Sequence, residues 1–112
     1  MSEFALVYRS GGEKLSPEEM QTHLKHCMDW FDGLLLTGVI KDKGVPLGSA
    51  GGVVVGRQRA VHDGPFAETK DVISGFTLVQ AKDLAEAIEI AKTCPVVEVG
   101  GSVEVRPVES CS

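Results

Sequence analysis

Two histidines and one aspartate are the residues of this chain whose chemistry is most useful at neutral pH. His23 and His26 lie three residues apart in a segment with helical periodicity, and Asp63 follows a short apolar run. An imidazole titrates close to neutrality and can serve as a general acid or base. Such groups support proton transfer next to a carbonyl, as in isomerisation, lactone opening or elimination.

The stretch from His62 to Phe76, which reads HDGPFAETKDVISGF, is the most specific in the chain. Asp63 can accept hydrogen bonds from backbone amides two residues on, and Gly64 relieves crowding before the proline. Pro65 fixes φ and stops a strand. These residues predict a strand that ends in a turn, whatever the function.

Metal and cofactor sites are not expected. His23 lies three residues before His26 and four before Cys27, but no third ligand has matching spacing. The three cysteines include no CxxC pair, and the glycines around Gly51 form no phosphate-binding motif. We therefore expect no metal and no cofactor.

Length and composition indicate one globular domain that spans residues 1–112. Hydrophobic residues make up 43% of the chain and charged residues 24%, which is typical of a folded protein. The net charge of -5 argues against nucleic-acid binding, because that affinity depends on clustered Lys and Arg. No apolar run approaches a membrane span, and the N-terminus lacks a secretory pattern, so we expect a cytoplasmic protein.

The first half of the chain predicts a strand followed by a long helix. Phe4 to Tyr8 is an almost continuous apolar run, typical of a buried strand. Ser16 as N-cap, Pro17 at the first helical position and Glu19 in a capping box predict a helix that ends near Leu36 or Thr37. Residues that share one helical stripe should face a core: Met20, Leu24, Cys27, Phe31, Leu34 and Leu35.

The second half predicts a hairpin, a strand, a helix and a last strand. Glycine-rich loops from Val39 to Ala60 surround a hairpin with arms Val53–Val55 and Arg59–Val61. Asp83 with Glu86 caps a second helix, which Pro95 stops. The flanking strands are predicted at Gly75–Gln80 and Val103–Pro107.

This order of elements predicts an α+β, ferredoxin-like βαββαβ fold with an inserted hairpin and both helices on one sheet face. In the first strand, Phe4, Leu6 and Tyr8 lie on one side while Ala5 and Val7 lie on the other, so both sides are apolar. A second subunit that packs on the face without helices would bury its apolar side chains. We therefore expect a homodimer that packs sheet against sheet.

The string DGPFAETKDVISGF resembles the signature of the YCII-related family, in its DGPF-containing branch. The helix from Glu18 to Leu36 that ends at Gly38 agrees with this resemblance, as do DLAEAIEIAKTCP from Asp83 and GSVEVRPV from Gly101. The resemblance covers nearly the whole chain. It implies a dimeric α/β barrel with a cleft between helix and sheet in each subunit.

The resemblance also implies an acid/base pair made by a histidine on the first helix and an aspartate after the central strands. Asp63 matches that aspartate, and the alignment favours His26 as its partner. Helical geometry instead favours His23, because His26 rotates further toward solvent. Pocket candidates from the same motif are Pro65, Phe66, Glu68 and Lys70.

Two functions follow as alternatives. The first is an enzyme that performs His/Asp acid–base chemistry on a small carboxylate or carbonyl metabolite, since a YCII-related domain is found in a chloromuconolactone dehalogenase. The second is a non-catalytic ligand-binding or regulatory module, because DGPF-type domains resemble segments found beside alternative sigma factors.

Overall fold

The computed structural model describes residues 1–9, 14–48, 51–63 and 73–109. Its six strands, two α-helices and one 3-10 helix follow one another in this order: β1 (Ser2–Arg9), α1 (Pro17–Leu36), β2 (Ile40–Asp42), β3 (Gly52–Val55), β4 (Ala60–Asp63), β5 (Ile73–Ala81), α2 (Leu84–Lys92), the 3-10 helix (Pro95–Val99) and β6 (Ser102–Pro107).

The main sheet has four strands in the order β2-β5-β1-β6. β1 lies in the middle and pairs antiparallel with both β5 and β6, so that Leu6 is opposite Thr77 on one side and Val105 on the other. With the β3-β4 hairpin set aside, this is the strand order of a ferredoxin-like fold. The predicted α+β class is confirmed.

Both helices lie on the face of the sheet that carries Phe4 and Leu6. The core joins these two residues to Val79 of β5 and to Ala87 and Ala91 of α2. Small alanines on α2 let the helix approach the sheet closely. The prediction that the helices share one face is confirmed, and a single core results.

The helix termini form as their capping residues dictate. Ser16 Oγ accepts from the Glu19 amide, and the Glu19 carboxylate accepts from the Ser16 amide. The backbone bond from Ser16 is the main reason that the pKa of Glu19 lies below its usual value. Asp83 caps α2 through the Glu86 amide, and Gly38 leaves α1 in a left-handed conformation.

The prediction that the apolar stripe of α1 faces a core holds for only part of the stripe. Cys27, Phe31 and Leu34 are partly buried, but Met20 and Leu24 are 43% and 54% exposed, and no described residue of α1 is fully buried. The reason is position, because α1 contacts mainly β2 and the 3-10 helix, while α2 provides most of the helix contacts to β5 and β6. The prediction that the whole stripe faces a core is wrong.

The edge strand β2 is not predicted by the sequence, because the stretch from Val39 to Ala60 indicates only loops and a hairpin. Ile40 and Asp42 pair with β5 across an irregular register. Three residues are too few to show strand periodicity, and the partner strand lies far along the chain.

The next segment runs along β5. A Cβ atom at Gly44 would collide with the carbonyl oxygen of Phe76, and Gly44 has a φ of 72°. Glycine is therefore required at this close approach. The amide of Leu47 then donates to the carbonyl oxygen of Ser74.

The predicted hairpin is confirmed as a separate two-stranded sheet. Val53 pairs with His62, and Val54 pairs with Val61. Arg59, predicted as the start of the second arm, lies in the turn with a φ of 55°. The valines of both arms are exposed.

The second face of the main sheet carries an apolar centre. Ala5 lies opposite Leu78, and Val7 lies opposite Phe76, which is 39% exposed. Ion pairs join Lys41 to Glu3, and Arg9 and Arg106 to Glu104. Within the described ranges, no helix is both long and apolar enough to cross a bilayer.

Candidate functional site

His23 and His26 lie in the second and third turns of α1, one turn apart. His23 is partly buried on the side of the helix that carries Cys27 and Trp30, whereas His26 is exposed. The geometric expectation that His23 is the more buried of the two is confirmed.

Cys27 lies against His23, one helical turn further along α1. Its Sγ atom is 3.5 Å from Nε2 of His23. Burial raises the pKa of the Cys27 thiol, and the Glu98 carboxylate raises it further. The thiol is therefore protonated at neutral pH and can donate a hydrogen bond.

A row of aromatic side chains holds α1 on the sheet close to this pair. The Phe31 ring packs edge-on against both Tyr8 of β1 and Trp30. Trp30 Nε1 donates to Thr93 Oγ1 at 2.7 Å, which ties α1 to the end of α2. These contacts fix the face of α1 that carries His23.

Tyr8 itself is a buried hydroxyl rather than an acid. Its hydroxyl donates to Thr77 Oγ1 at 2.7 Å, and Thr77 in turn donates to the carbonyl oxygen of Lys43. Burial raises the pKa of Tyr8 well above its usual value. Tyr8 therefore stays neutral at physiological pH and serves packing.

Asp63 is the last residue of β4 and pairs with Gly52 in the hairpin. A strand therefore leads up to Asp63, as predicted, while the predicted turn and the Asp63 side chain lie outside the described part of the structure. The pocket candidates Pro65, Phe66, Glu68 and Lys70 also lie outside the described residues. The pairing of Asp63 with His23 or His26 stays a prediction.

The arginines of the hairpin turn and of β6 lie in different places. Arg57 and Arg59 are exposed in the turn of the hairpin. Arg106 lies on the second sheet face and shares Glu104 with Arg9, whose hydrogen bond is the main cause that lowers the pKa of Glu104. In the described part of the chain, no three His, Cys, Asp or Glu side chains are grouped to hold a metal.

An apolar groove of about 350 Å³ lies between α2, the 3-10 helix and β6. Its lining combines aliphatic side chains with one cation: Ile88, Ala91, Lys92, Val97, Val103 and Val105. Lys92 is paired with Glu89 at 3.0 Å. None of these lining residues is an acid or base suited to neutral pH.

The fold defines an α+β ferredoxin-like protein with a histidine-bearing helix over its sheet. A model of the YCII-related domain matches residues 3–112, and the chain belongs to that family. The chain is also 46% identical, over 48 residues, to an uncharacterised protein of Rhizobium meliloti (strain 1021). That match covers 42% of this chain and 39% of the relative, so it spans less than half of the curated protein.

Cys27 is the residue at the site whose contact the sequence pattern did not reveal. Its spacing of four from His23 is also typical of two metal ligands on one helix. The same spacing places two side chains on one helical face, where they can contact each other directly. That signal is present in the sequence, but burial is needed to show which face it occupies.

Proposed function

We propose that this protein catalyses proton transfer on a small carbonyl or carboxylate compound, with His23 and Asp63 as the acid/base pair. The observation that carries the proposal is the placement of His23. Its imidazole is partly buried beside a protonated thiol on the inner flank of α1, whereas His26 is exposed. Imidazoles are common general acids and bases in enzymes.

Asp63 completes the pair by its place in the DGPF motif, which the family assignment supports. A carboxylate can accept the proton that leaves the carbon next to a carbonyl group, while the imidazole stabilises the developing oxyanion. The same two groups serve isomerisation, lactone opening and elimination.

Hydrogen exchange tests the proposed proton transfer directly, because it requires only the first step of such a reaction. A thermal-shift screen first selects stabilising compounds from a panel of small keto acids, lactones and dicarboxylates. Each is then incubated with the protein in D2O, and NMR follows exchange of the hydrogen next to the carbonyl. We expect His23→Gln and Asp63→Asn to slow exchange by about 10²-fold or more.

His26→Gln is the matched control for this experiment, because it changes an exposed imidazole on the same helix. It should retain exchange, and circular dichroism should show that all three variants fold. Equal exchange in the wild type and Asp63→Asn would refute the proposed pair. Loss of exchange in His26→Gln alone would transfer the role to His26.

A second candidate is non-catalytic binding in the groove between α2 and β6. Its aliphatic lining with a cation at the edge suits a small apolar molecule that ends in an anionic group. A ligand of this kind would raise the melting temperature without hydrogen exchange. Val103→Glu would then abolish the stabilisation, whereas His23→Gln would leave it unchanged.

We also propose that the protein acts as a homodimer through the second face of its sheet. The support is the apolar centre of that face, where Val7 and Phe76 are neighbours and no described helix provides a cover. Sheets pack face to face about 10 Å apart when apolar side chains interdigitate. A second copy offers the same apolar centre.

A further inference from the structure

The contact between Cys27 and His23 has geometry that a chance surface encounter lacks. The two residues are four apart on α1, so their side chains lie over the same helical face. Sγ of Cys27 lies 3.5 Å from Nε2 of His23, and both residues are partly buried. The helix itself therefore holds the thiol against one particular nitrogen of the imidazole.

The direction of this hydrogen bond follows from the chemistry of the two groups. A thiol is both a weak donor and a weak acceptor, whereas an imidazole nitrogen without a proton is a good acceptor, so a bond from S–H to nitrogen is the stronger of the two possible directions. Because burial raises the pKa of Cys27, the thiol keeps its proton at neutral pH. Nε2 is then the acceptor, and in a neutral ring the proton lies on Nδ1.

We propose that Cys27 is a positioning residue, which holds His23 in the tautomer that carries its proton on Nδ1. Because the hydrogen bond made by one ring nitrogen decides where the proton lies on the other, a single thiol is sufficient. This inference rests on the proposed function only for its catalytic meaning. The tautomer itself is a property of the folded chain.

In the proposed pair, the two residues would have different roles in catalysis. With Nε2 occupied by the thiol, His23 presents the Nδ1 proton as a hydrogen-bond donor. The group that it meets must then be an acceptor, such as a carbonyl or carboxylate oxygen of the substrate. Asp63 would take the proton from carbon, and the Nδ1–H of His23 would donate a hydrogen bond to the enolate oxygen, which keeps its negative charge until Asp63 returns the proton to carbon.

Nitrogen NMR measures the tautomer directly. Protein labelled with ¹⁵N is studied at about pH 8, where imidazoles are largely neutral and thiols of raised pKa keep their protons. Two-bond correlations between the ring protons on carbon and the ring nitrogens distinguish Nδ1–H from Nε2–H, and His23→Gln identifies the signals of His23. We expect Nδ1–H to predominate at His23 in the wild type.

Cys27→Ala should shift the ratio of the two tautomers toward Nε2–H by about fivefold, because one hydrogen bond is lost. Cys27→Ser should restore much of the ratio, since a hydroxyl can donate to the same nitrogen. Cys94→Ala is the matched control, as it removes a buried thiol next to the 3-10 helix and should leave His23 unchanged. Chemical-shift maps of the backbone would show that each variant keeps its fold.

An unchanged tautomer ratio in Cys27→Ala would overturn the inference, and so would predominant Nε2–H in the wild type. Hydrogen exchange distinguishes this failure from that of the proposed function. If Cys27 sets the tautomer but His23→Gln exchanges hydrogen normally, the function is wrong and the positioning is right. If both hold, Cys27→Ala should lower kcat for exchange with little change in KM.

Discussion

The hydroxyl groups of Tyr8 and Thr77 form a hydrogen-bonded pair against the core of the fold. Thr77 is fully buried, yet it accepts from Tyr8 and donates to the carbonyl oxygen of Lys43. Among the described residues, no buried side-chain nitrogen or oxygen lacks a hydrogen-bond partner. Burial is tolerated because each group has a partner, but ionisation would leave a charge in the core.

The free energy of unfolding at alkaline pH should depend on the burial of these groups. Burial raises the pKa of Cys94 to about 11 and raises the pKa of Cys27 and Tyr8 as well. Unfolded cysteine and tyrosine ionise near 8.5 and 10, so above these values the unfolded state binds fewer protons than the folded state. The contribution of these neutral groups to the free energy of unfolding should therefore be complete below about pH 8.5, and it should be lost as the pH rises through about 11.

Urea titrations from pH 7 to pH 11 measure that fall. Cys94→Ala should flatten the curve above about pH 8.5, and Tyr8→Phe should flatten it above about pH 10. Below pH 8 the curves of wild type and variants should run parallel, whatever their offset. Identical slopes between pH 9 and pH 11 would contradict the assignment.

At the scale of elements, the two helices contribute differently despite similar capping. α2 is short, but Ala87 and Ala91 are buried in the core. α1 has 20 residues, and a partly buried side of the helix contacts the rest of the domain. Length therefore does not measure the contribution of a helix, because packing of an apolar face supplies most helical stability.

Removal of the α2 cap should accordingly affect the whole molecule. Asp83→Ala deletes the bond to the Glu86 amide and should lower the free energy of unfolding by about 1 kcal/mol. Ser16→Ala deletes the matching bond at α1 and should mainly increase hydrogen exchange in the first helical turn. Urea denaturation and amide exchange measure the two effects.

The opposite ranking, with Ser16→Ala more harmful to global stability than Asp83→Ala, would contradict this division between the helices. It would show that α1 belongs to the cooperative core despite its exposed residues. Asp83→Asn provides the control for the loss of the cap. It keeps a good N-cap while it removes the charge.

At the scale of the whole molecule, the main sheet has one covered face and one apolar face without a described cover. Ion pairs flank the apolar centre, with Lys41 and Glu3 at one end and Arg9 and Glu104 at the other. An apolar centre with a polar rim is typical of a protein interface. This arrangement supports the proposed dimer.

Phe76→Asp tests that dimer by placing a charge at the apolar centre. We expect light scattering at micromolar concentration to give a dimer for the wild type and a monomer for the variant. Leu84→Asp is the matched control, because Leu84 is exposed at the start of α2, where a carboxylate is favourable. A monodisperse wild-type monomer would refute the proposal.

The sequence alone determined the elements whose signals are local. Ser16, Pro17 and Glu19 act within one helical turn, so the start of α1 was predicted to the residue. The alternation from Val103 to Pro107 and the Asp83 cap were equally direct, because they depend on neighbours in the chain. Local strings also carry the family resemblance, and the match to the YCII-related domain confirms the family.

Tertiary structure decided what depends on contacts distant in the chain. β2 exists because Ile40 pairs with Val79, a partner that three residues of sequence cannot reveal. The apolar stripe of α1 contains partly buried and exposed residues because α2 provides most of the helix contacts to β5 and β6. The residue type alone does not distinguish the environments of His23 and His26. Trp30 contacts Thr93 and Phe31 contacts Tyr8, and this packing orients α1 so that His23 is partly buried while His26 is exposed.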